Sequence, residues 1–157
     1  MKLNNMVEER GKAQFALQRI YVKDASFESP KSPHGFREQW KPKVNLELNS
    51  RHSMIENGLY EVVLHVTVSA STEDDGLMYL VEVQQAGVFL VDGIEENARL
   101  HVLGSFCPNV LFPYAREVVD SLVLKGSFPP LMLNPVNFDA IYQQSLAEQA
   151  RKEDKIQ

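Results

Sequence analysis

The residue types that most often carry out catalysis or bind metals are few and widely spaced in this chain of 157 residues. Four histidines stand far apart and match no metal-ligand spacing: His34, His52, His65 and His101. Cys107 precedes a proline in an apolar stretch, and as a nucleophile it would need an activating base nearby. We therefore predict a buried, unreactive thiol, and a solvent-facing strand position for His65.

Motifs for nucleotide binding and hydrolysis are missing as well. The sequence contains no GxGxxG, no P-loop and no GxSxG. These absences favour binding through a surface, so we predict that the chain is not an enzyme and needs no cofactor or metal. The net charge of −5 and the scattered Lys and Arg residues argue against a nucleic-acid partner, because phosphate binding needs clustered positive charge.

The hydropathy pattern argues against membrane insertion. No apolar run approaches the roughly 20 residues that a membrane-spanning helix needs. The first 12 residues are polar and lack the apolar centre of a signal peptide. A single cysteine cannot form an internal disulfide, which suits a reducing compartment. We therefore expect a cytoplasmic location.

Four segments show the composition or the period-2 alternation of strands. The first spans residues 15–27 and ends in a loop containing two prolines and a glycine. The second spans about 43–49, the third places Tyr60, Val62, Leu64, Val66, Val68 and Ala70 on one face, and the fourth spans 77–91. Short turns between the last three strands favour antiparallel pairing.

The apolar period then becomes helical. Residues 95–125 predict a long helix that Pro108 and Pro113 must kink, and Gly126 is a plausible stop. Phe138 opens a last helix. The fold class is therefore α+β: a four-stranded antiparallel sheet, a long kinked helix and a C-terminal helix. We expect a flexible arm at 1–13, one domain at 14–147 and a flexible polar tail at 148–157.

Five long strings span about residues 17–142 and read QRIYVKDASFESP, YEVVLHVTVSA, LVEVQQAGVF, CPNVLFPYARE and LNPVNFDAIY. Together they resemble the SecB family of preprotein-export chaperones. The resemblance implies a homotetramer, built as a dimer of dimers with the sheets outside and the long helices between them. It also implies that the chain binds unfolded preproteins without nucleotide and passes them to the motor protein SecA. The basic residues of the tail, Arg151, Lys152 and Lys155, depart from the family pattern and leave tail contacts with SecA open.

Acidic residues on the first and fourth strands form a candidate docking surface. Alternate residues of a strand point to one side of the sheet, which predicts Asp24 and Glu28 on the same side as Ile20 and Val22. The same rule places Glu82 on one side with Leu80 and Gln84. If the two strands are neighbours, the carboxylates form one negative patch. A solvated sheet face is the alternative from sequence alone. The resemblance implies a SecA-docking surface made of Asp24, Glu28, Leu80 and Glu82.

The opposite parity of the fourth strand carries Tyr79, Val81, Val83 and Gln85. Core packing explains the first three positions, and Gln85 fits an interface equally well. The resemblance places Val81, Val83 and Gln85 where the two dimers of the tetramer meet.

A third set of residues predicts an apolar groove for unfolded clients. Phe36 and Trp40 either cap a core or line an open channel. Six further residues complete the trough: Val44, Leu46, Leu48, Phe138, Ile141 and Tyr142. Unfolded chains present apolar segments and free backbone groups, which a groove beside a strand edge holds with little sequence preference.

Three functions remain open at this point. The first is an export chaperone that acts with SecA, and the second is a related chaperone that protects an antitoxin. The third is an α+β protein with a closed small-ligand pocket. The acidic residues favour export, and the missing motifs count against the third function.

Overall fold

The computed structural model describes residues 12–156, and its strands form one antiparallel sheet of order β1-β4-β3-β2. The strands are β1 (Gln14–Glu28), β2 (Lys43–Glu56), β3 (Leu59–Ser71) and β4 (Leu77–Asp92). The predicted four-stranded antiparallel sheet is therefore confirmed, and β1 and β4 are neighbours as the acidic patch requires. The predicted arm at 1–13 lies almost entirely outside the described residues.

Two tight hairpins place β2, β3 and β4 side by side. Gly58, between β2 and β3, has a φ of 80°, which a residue without a Cβ adopts at little cost. β2 is longer than predicted and pairs with β3 as far as Glu56. Its second half lacks apolar alternation, so only the pairing with β3 reveals it as a strand.

The link between β1 and β2 must cross the sheet, because these two strands form opposite edges. Residues 29–42 make this crossing and include a short 3-10 helix, His34–Arg37. The crossing carries Phe36 and Trp40 onto Phe128, with ring centroids 5.5 Å apart in each pair. The loop predicted around the two prolines therefore crosses one end of the core and packs two aromatic side chains against it.

A continuous helical run follows the sheet, as predicted. It comprises α1 (Glu96–His101), a π-helical turn (Val102–Phe106, called here the π segment) and α2 (Cys107–Lys125). The π segment was not expected from the sequence. Pro113 lies inside α2, where it removes a backbone hydrogen bond and bends the helix.

The last helix, α3 (Phe138–Ile156), is longer than its apolar stripe. The sequence turns polar after Ala147, and the structure continues as helix through Ile156 with every residue of this extension exposed. Arg151, Lys152, Glu153 and Lys155 all favour helix, which explains the extension. Residues 148–156 are therefore helical, and the flexibility expected for them stays a prediction.

The core lies between one face of the sheet and α2. Side chains of β3 at even positions and of β4 at odd positions face it, and α2 contributes Leu111, Ala115, Val119 and Val123. The predicted buried face of β3, from Tyr60 to Ala70, is confirmed, because its alternate residues are no more than 7% exposed.

Val81, Val83 and Gln85 belong to this core. Val81 and Val83 are fully buried and Gln85 is 2% exposed, within a single chain. The Gln85 amide donates a hydrogen bond to the Tyr21 carbonyl oxygen at 3.0 Å. In the single chain these side chains therefore face the core rather than solvent, and the contact between dimers expected at them stays a prediction. Any influence on assembly would act through the helix that covers them.

Val83→Asp tests this position. The substitution should remove more than about 4 kcal/mol from the free energy of unfolding, because it buries an unpaired charge in the core. Urea unfolding followed by circular dichroism measures the effect. Thr67→Asp, on the opposite face of the sheet, is the control and should cost far less. A Val83→Asp protein that forms dimers with the wild-type unfolding midpoint would contradict the core assignment.

Candidate functional site

The acidic residues predicted for docking lie together on the face of the sheet that points away from α2. Antiparallel register places Glu28 opposite Leu80, Ser26 opposite Glu82, and Asp24 opposite Gln84. Neighbouring strands are about 4.8 Å apart, so these residues form one contiguous surface. We call Asp24, Glu28, Leu80 and Glu82 the acidic face.

One part of the parity argument for this surface is wrong. A register shift between Val22 and Asp24 inserts Lys23 as an extra residue. Val22 pairs with Gln85 and Ile20 pairs with Gly87, on the α2 side of the sheet. Ile20 and Val22 therefore lie opposite the acidic face, although the carboxylates themselves are grouped as predicted.

Another carboxylate of the same outer face, that of Glu61, is paired with a lysine. The Lys23 ammonium lies 2.8 Å from Glu61, and the Tyr21 hydroxyl donates a hydrogen bond to the same carboxylate. These two hydrogen bonds lower the pKa of Glu61. Burial, together with Glu61, raises the pKa of Tyr21 to about 12. Within residues 12–156, no ion pair involves Asp24, Glu28 or Glu82, so their charges stay available to a partner.

The predicted groove begins on the α2 side of β2. α2 packs over β4 and β3, and β2 meets the helical run mainly through the π segment. Val44 is 46% exposed and Leu46 is 36% exposed, although both point to the same side as the core. Leu48, two residues further on, is partly buried against it. The stripe from Val44 to Leu48 is about 14 Å long at the usual rise per strand residue.

An aromatic cluster lies toward the Val44 end of this stripe. Trp40 stacks near Tyr79 with a centroid distance of 6.3 Å, and Tyr79 shares a row of the sheet with Val44 through Ala70. Phe36 and Trp40 cover the core and still expose 49% and 36% of their surfaces. The two alternatives left open for them, core cap and channel wall, therefore both describe part of what they do.

The first turns of α3 form the other end of the predicted groove, opposite the aromatic cluster. Leu48, Phe138 and Ile141 line one small cavity together with Leu64 and Gly104. Phe138 is 5% exposed and packs against Phe112 at 5.6 Å, so it is a core residue rather than an open wall. Ile141 is 39% exposed and supplies the open surface.

Tyr142 stands apart from the other predicted groove residues. Its ring lies over the π segment, 5.1 Å from the His101 ring. The predicted set is thus a β2 stripe with an aromatic end and an α3 end.

Sequence reasoning missed Phe128. It is 5% exposed and lies within 6.3 Å of four other aromatic rings. A lone aromatic residue directly before two prolines was the signal that could have identified it as an anchor of the connector.

The cysteine and histidine residues considered for catalysis or metal binding occupy ordinary structural positions. Cys107 is buried, as predicted, and burial raises the pKa of its thiol to about 12. Burial and the nearby Arg99 guanidinium lower the pKa of His52. In the described part of the chain, no group of three His, Cys, Asp or Glu residues is placed to hold a metal ion. No helix among residues 12–156 is both long and apolar enough to cross a bilayer.

Comparison with known proteins identifies the family. The profile described as "Preprotein translocase subunit SecB" matches residues 8–149. "Protein-export protein SecB" of Pseudomonas savastanoi pv. phaseolicola is 58% identical over 139 residues, covering 88% of this chain and 85% of that protein. The protein of the same name from Marinobacter nauticus is 59% identical over 139 residues, covering 88% and 84%.

A solved structure shares the fold. It is the Mycobacterium tuberculosis SecB-like chaperone Rv1957, in complex with a peptide from the antitoxin HigA1. Its TM-score is 0.65 at 15% sequence identity, and the match covers 87% of this chain and 97% of that one. Since the profile spans most of the sequence and the relatives exceed half identity over most of its length, the chain belongs to the SecB family.

Proposed function

We propose that this chain is a cytoplasmic protein-export chaperone, which holds unfolded preproteins without nucleotide and delivers them to SecA. Family membership carries the general function, and SecB chaperones are not enzymes. The single structural observation that supports the holding step is the bare apolar stripe of β2, because such surfaces on a folded chain mark binding sites.

The edge position of β2 adds a second kind of contact. β2 is the last strand of the sheet, so among residues 12–156 one side of its backbone has no strand partner. An unfolded client offers free N–H and C=O groups that can extend the sheet there. Along β2, the apolar stripe can therefore bind the apolar side chains of a client while the strand edge binds its backbone groups. Such binding depends little on the sequence of the client.

Several weak sites acting together would give strong holding. Each large apolar side chain that a client buries contributes roughly 1.5–3 kcal/mol before the cost of ordering it. One groove therefore binds weakly, and a long client that spans several grooves binds strongly. We propose a homotetramer for this reason, arranged as a dimer of dimers.

Exposed apolar residues supply surface for such an assembly. Phe15 and Leu17 on the edge strand β1, and Phe106 and Tyr114 on the long helical run, are each 40–50% exposed. A tetramer carries a formal charge of 4 × −5 = −20. Assembly would therefore depend on apolar and hydrogen-bonded contact and should tolerate salt.

The acidic face supports SecA docking. Its carboxylates lie around Leu80, on the side of the sheet opposite the groove, and none of them forms an ion pair within the described part of the chain. Charge of this kind steers association with a basic partner surface and fixes orientation. Export is favoured over antitoxin protection because the relatives that are more than half identical are named as export proteins, whereas the antitoxin-bound chaperone is only 15% identical.

Leu46→Asp should weaken client holding. A charge in the β2 stripe would have to be desolvated by each apolar client segment, so we expect a rise of about tenfold or more in the client Kd. Calorimetry with a reduced, permanently unfolded preprotein measures it. Asn45→Asp adds the same charge one residue away on the opposite face and serves as the matched control. Equal effects of the two variants would contradict the groove assignment.

Glu82→Lys should weaken SecA binding and leave client binding nearly unchanged. The carboxylate is solvent-accessible, so its reversal costs little folding stability, but it places like charges across the docking interface. Binding should also weaken as salt rises. Titration of both partners by calorimetry tests the separation. Glu73→Lys, in the exposed turn between β3 and β4, controls for the change in net charge. SecA binding at wild-type strength would show that the acidic face is only a solvated surface.

A further inference from the structure

The last helix is attached to the rest of the chain almost entirely through its first turns. Of the described residues of α3, Phe138 alone is buried. The principal neighbour of α3 is the π segment. A helix of 19 residues that is held at one end takes its direction from the few contacts made there. Those contacts therefore decide where Ile141 stands relative to β2.

One carboxylate makes the polar part of this attachment. The Asp139 Oδ1 atom contacts the His101 ring nitrogen Nε2, and the Ser105 hydroxyl donates to the same oxygen at 3.4 Å. Asn137 caps the helix by accepting a hydrogen bond from the Ala140 N–H at 3.0 Å. The first turn of α3 is thereby tied to both α1 and the π segment.

A glycine makes the apolar part of the attachment. A Cβ atom added to Gly104 would lie 2.7 Å from two ring carbons of Tyr142. This separation is too short for real carbon atoms, so the ring rests on bare backbone. Gly104 lies inside the π segment, an element that recurs at functional positions in other helices. Alanine would suit the helical backbone better than glycine does, so the fit of Tyr142 is the structural reason for glycine here.

The same glycine lies beneath the groove. Gly104 lines the small cavity in which Leu48 of β2 meets Phe138 and Ile141 of α3. A shift of α3 away from the π segment would separate these two walls. The spacing between the walls is therefore coupled to the contact between Gly104 and Tyr142.

We propose that Gly104 and Asp139, acting through Tyr142, His101 and Ser105, are positioning residues that set the distance between α3 and β2 and so tune client affinity. The proposal rests on the proposed function, because it assumes that clients bind between these walls. It assigns a role to the π segment, which the sequence pattern did not predict.

Gly104→Ala tests the proposal by adding one methyl group beneath the Tyr142 ring. We expect the client Kd to rise about tenfold, the equivalent of losing one well-buried apolar contact. The urea unfolding midpoint should stay level or rise, because alanine favours helix over glycine. The probe is a carboxymethylated, permanently unfolded polypeptide, titrated into the full-length assembled protein by calorimetry.

A double-mutant cycle separates positioning from a general disturbance. Tyr142→Ala removes the ring that the new methyl group would meet. Adding Gly104→Ala to that variant should change the Kd by less than about twofold, because the two effects share one contact. An equal Gly104→Ala effect with and without the ring would overturn the proposal.

Asp139 provides an independent variant if Gly104→Ala fails to assemble. Asp139→Asn should also raise the client Kd. Asp139→Glu keeps a carboxylate at this position and should raise the client Kd less than Asp139→Asn does. Wild-type affinity in an assembled Asp139→Asn protein would overturn the proposal while leaving the proposed function intact, provided that Leu46→Asp still weakens binding. A wild-type chain that fails to hold the probe would overturn the proposed function itself.

Discussion

A single helix is too narrow to cover a four-stranded sheet, and the rest of this structure depends on that mismatch. A helix with its side chains is about 10 Å wide, whereas four strands at about 4.8 Å spacing are nearly twice as wide. The long helix packs over β4 and β3 and buries a tight core there. Val44 and Leu46 of β2 point the same way and stay exposed, whereas Leu48 is partly buried against the core. The groove is therefore the uncovered part of one continuous apolar face.

The same geometry assigns different tasks to the two faces of the sheet. The proposed client groove lies on the α2 side, where exposed apolar residues and the edge of β2 coincide. The acidic face lies on the other side, where Lys23 pairs with Glu61 and no ion pair within residues 12–156 involves Asp24, Glu28 or Glu82. Because a sheet separates the two surfaces, a bound client need not block the motor protein. This arrangement suits a carrier that must hold one partner while it contacts another.

Sequence patterns predicted the elements well, and they failed where one residue changed the register. Strict alternation from Tyr60 to Ala70 predicted a buried face, which the structure confirms. Parity failed across Lys23, because an inserted residue moves Ile20 and Val22 to the other side and period-2 counting cannot detect a bulge. Val83 is buried in the core between the sheet and α2, and the subunit contact that the resemblance implies for it stays a prediction. The contact between Gly104 and Tyr142 joins distant segments and leaves no periodic signal.

Site-specific photo-crosslinking on β2 tests the central claim most directly. A benzoylphenylalanine residue would replace Leu46 in one protein and Asn45 in another, and each would be irradiated with a bound unfolded preprotein. These neighbours point to opposite faces of the sheet, so the account predicts strong crosslinking to the client from position 46 and little from position 45. Equal crosslinking from both positions, or stronger crosslinking from position 45, would contradict a groove formed by the uncovered face of β2.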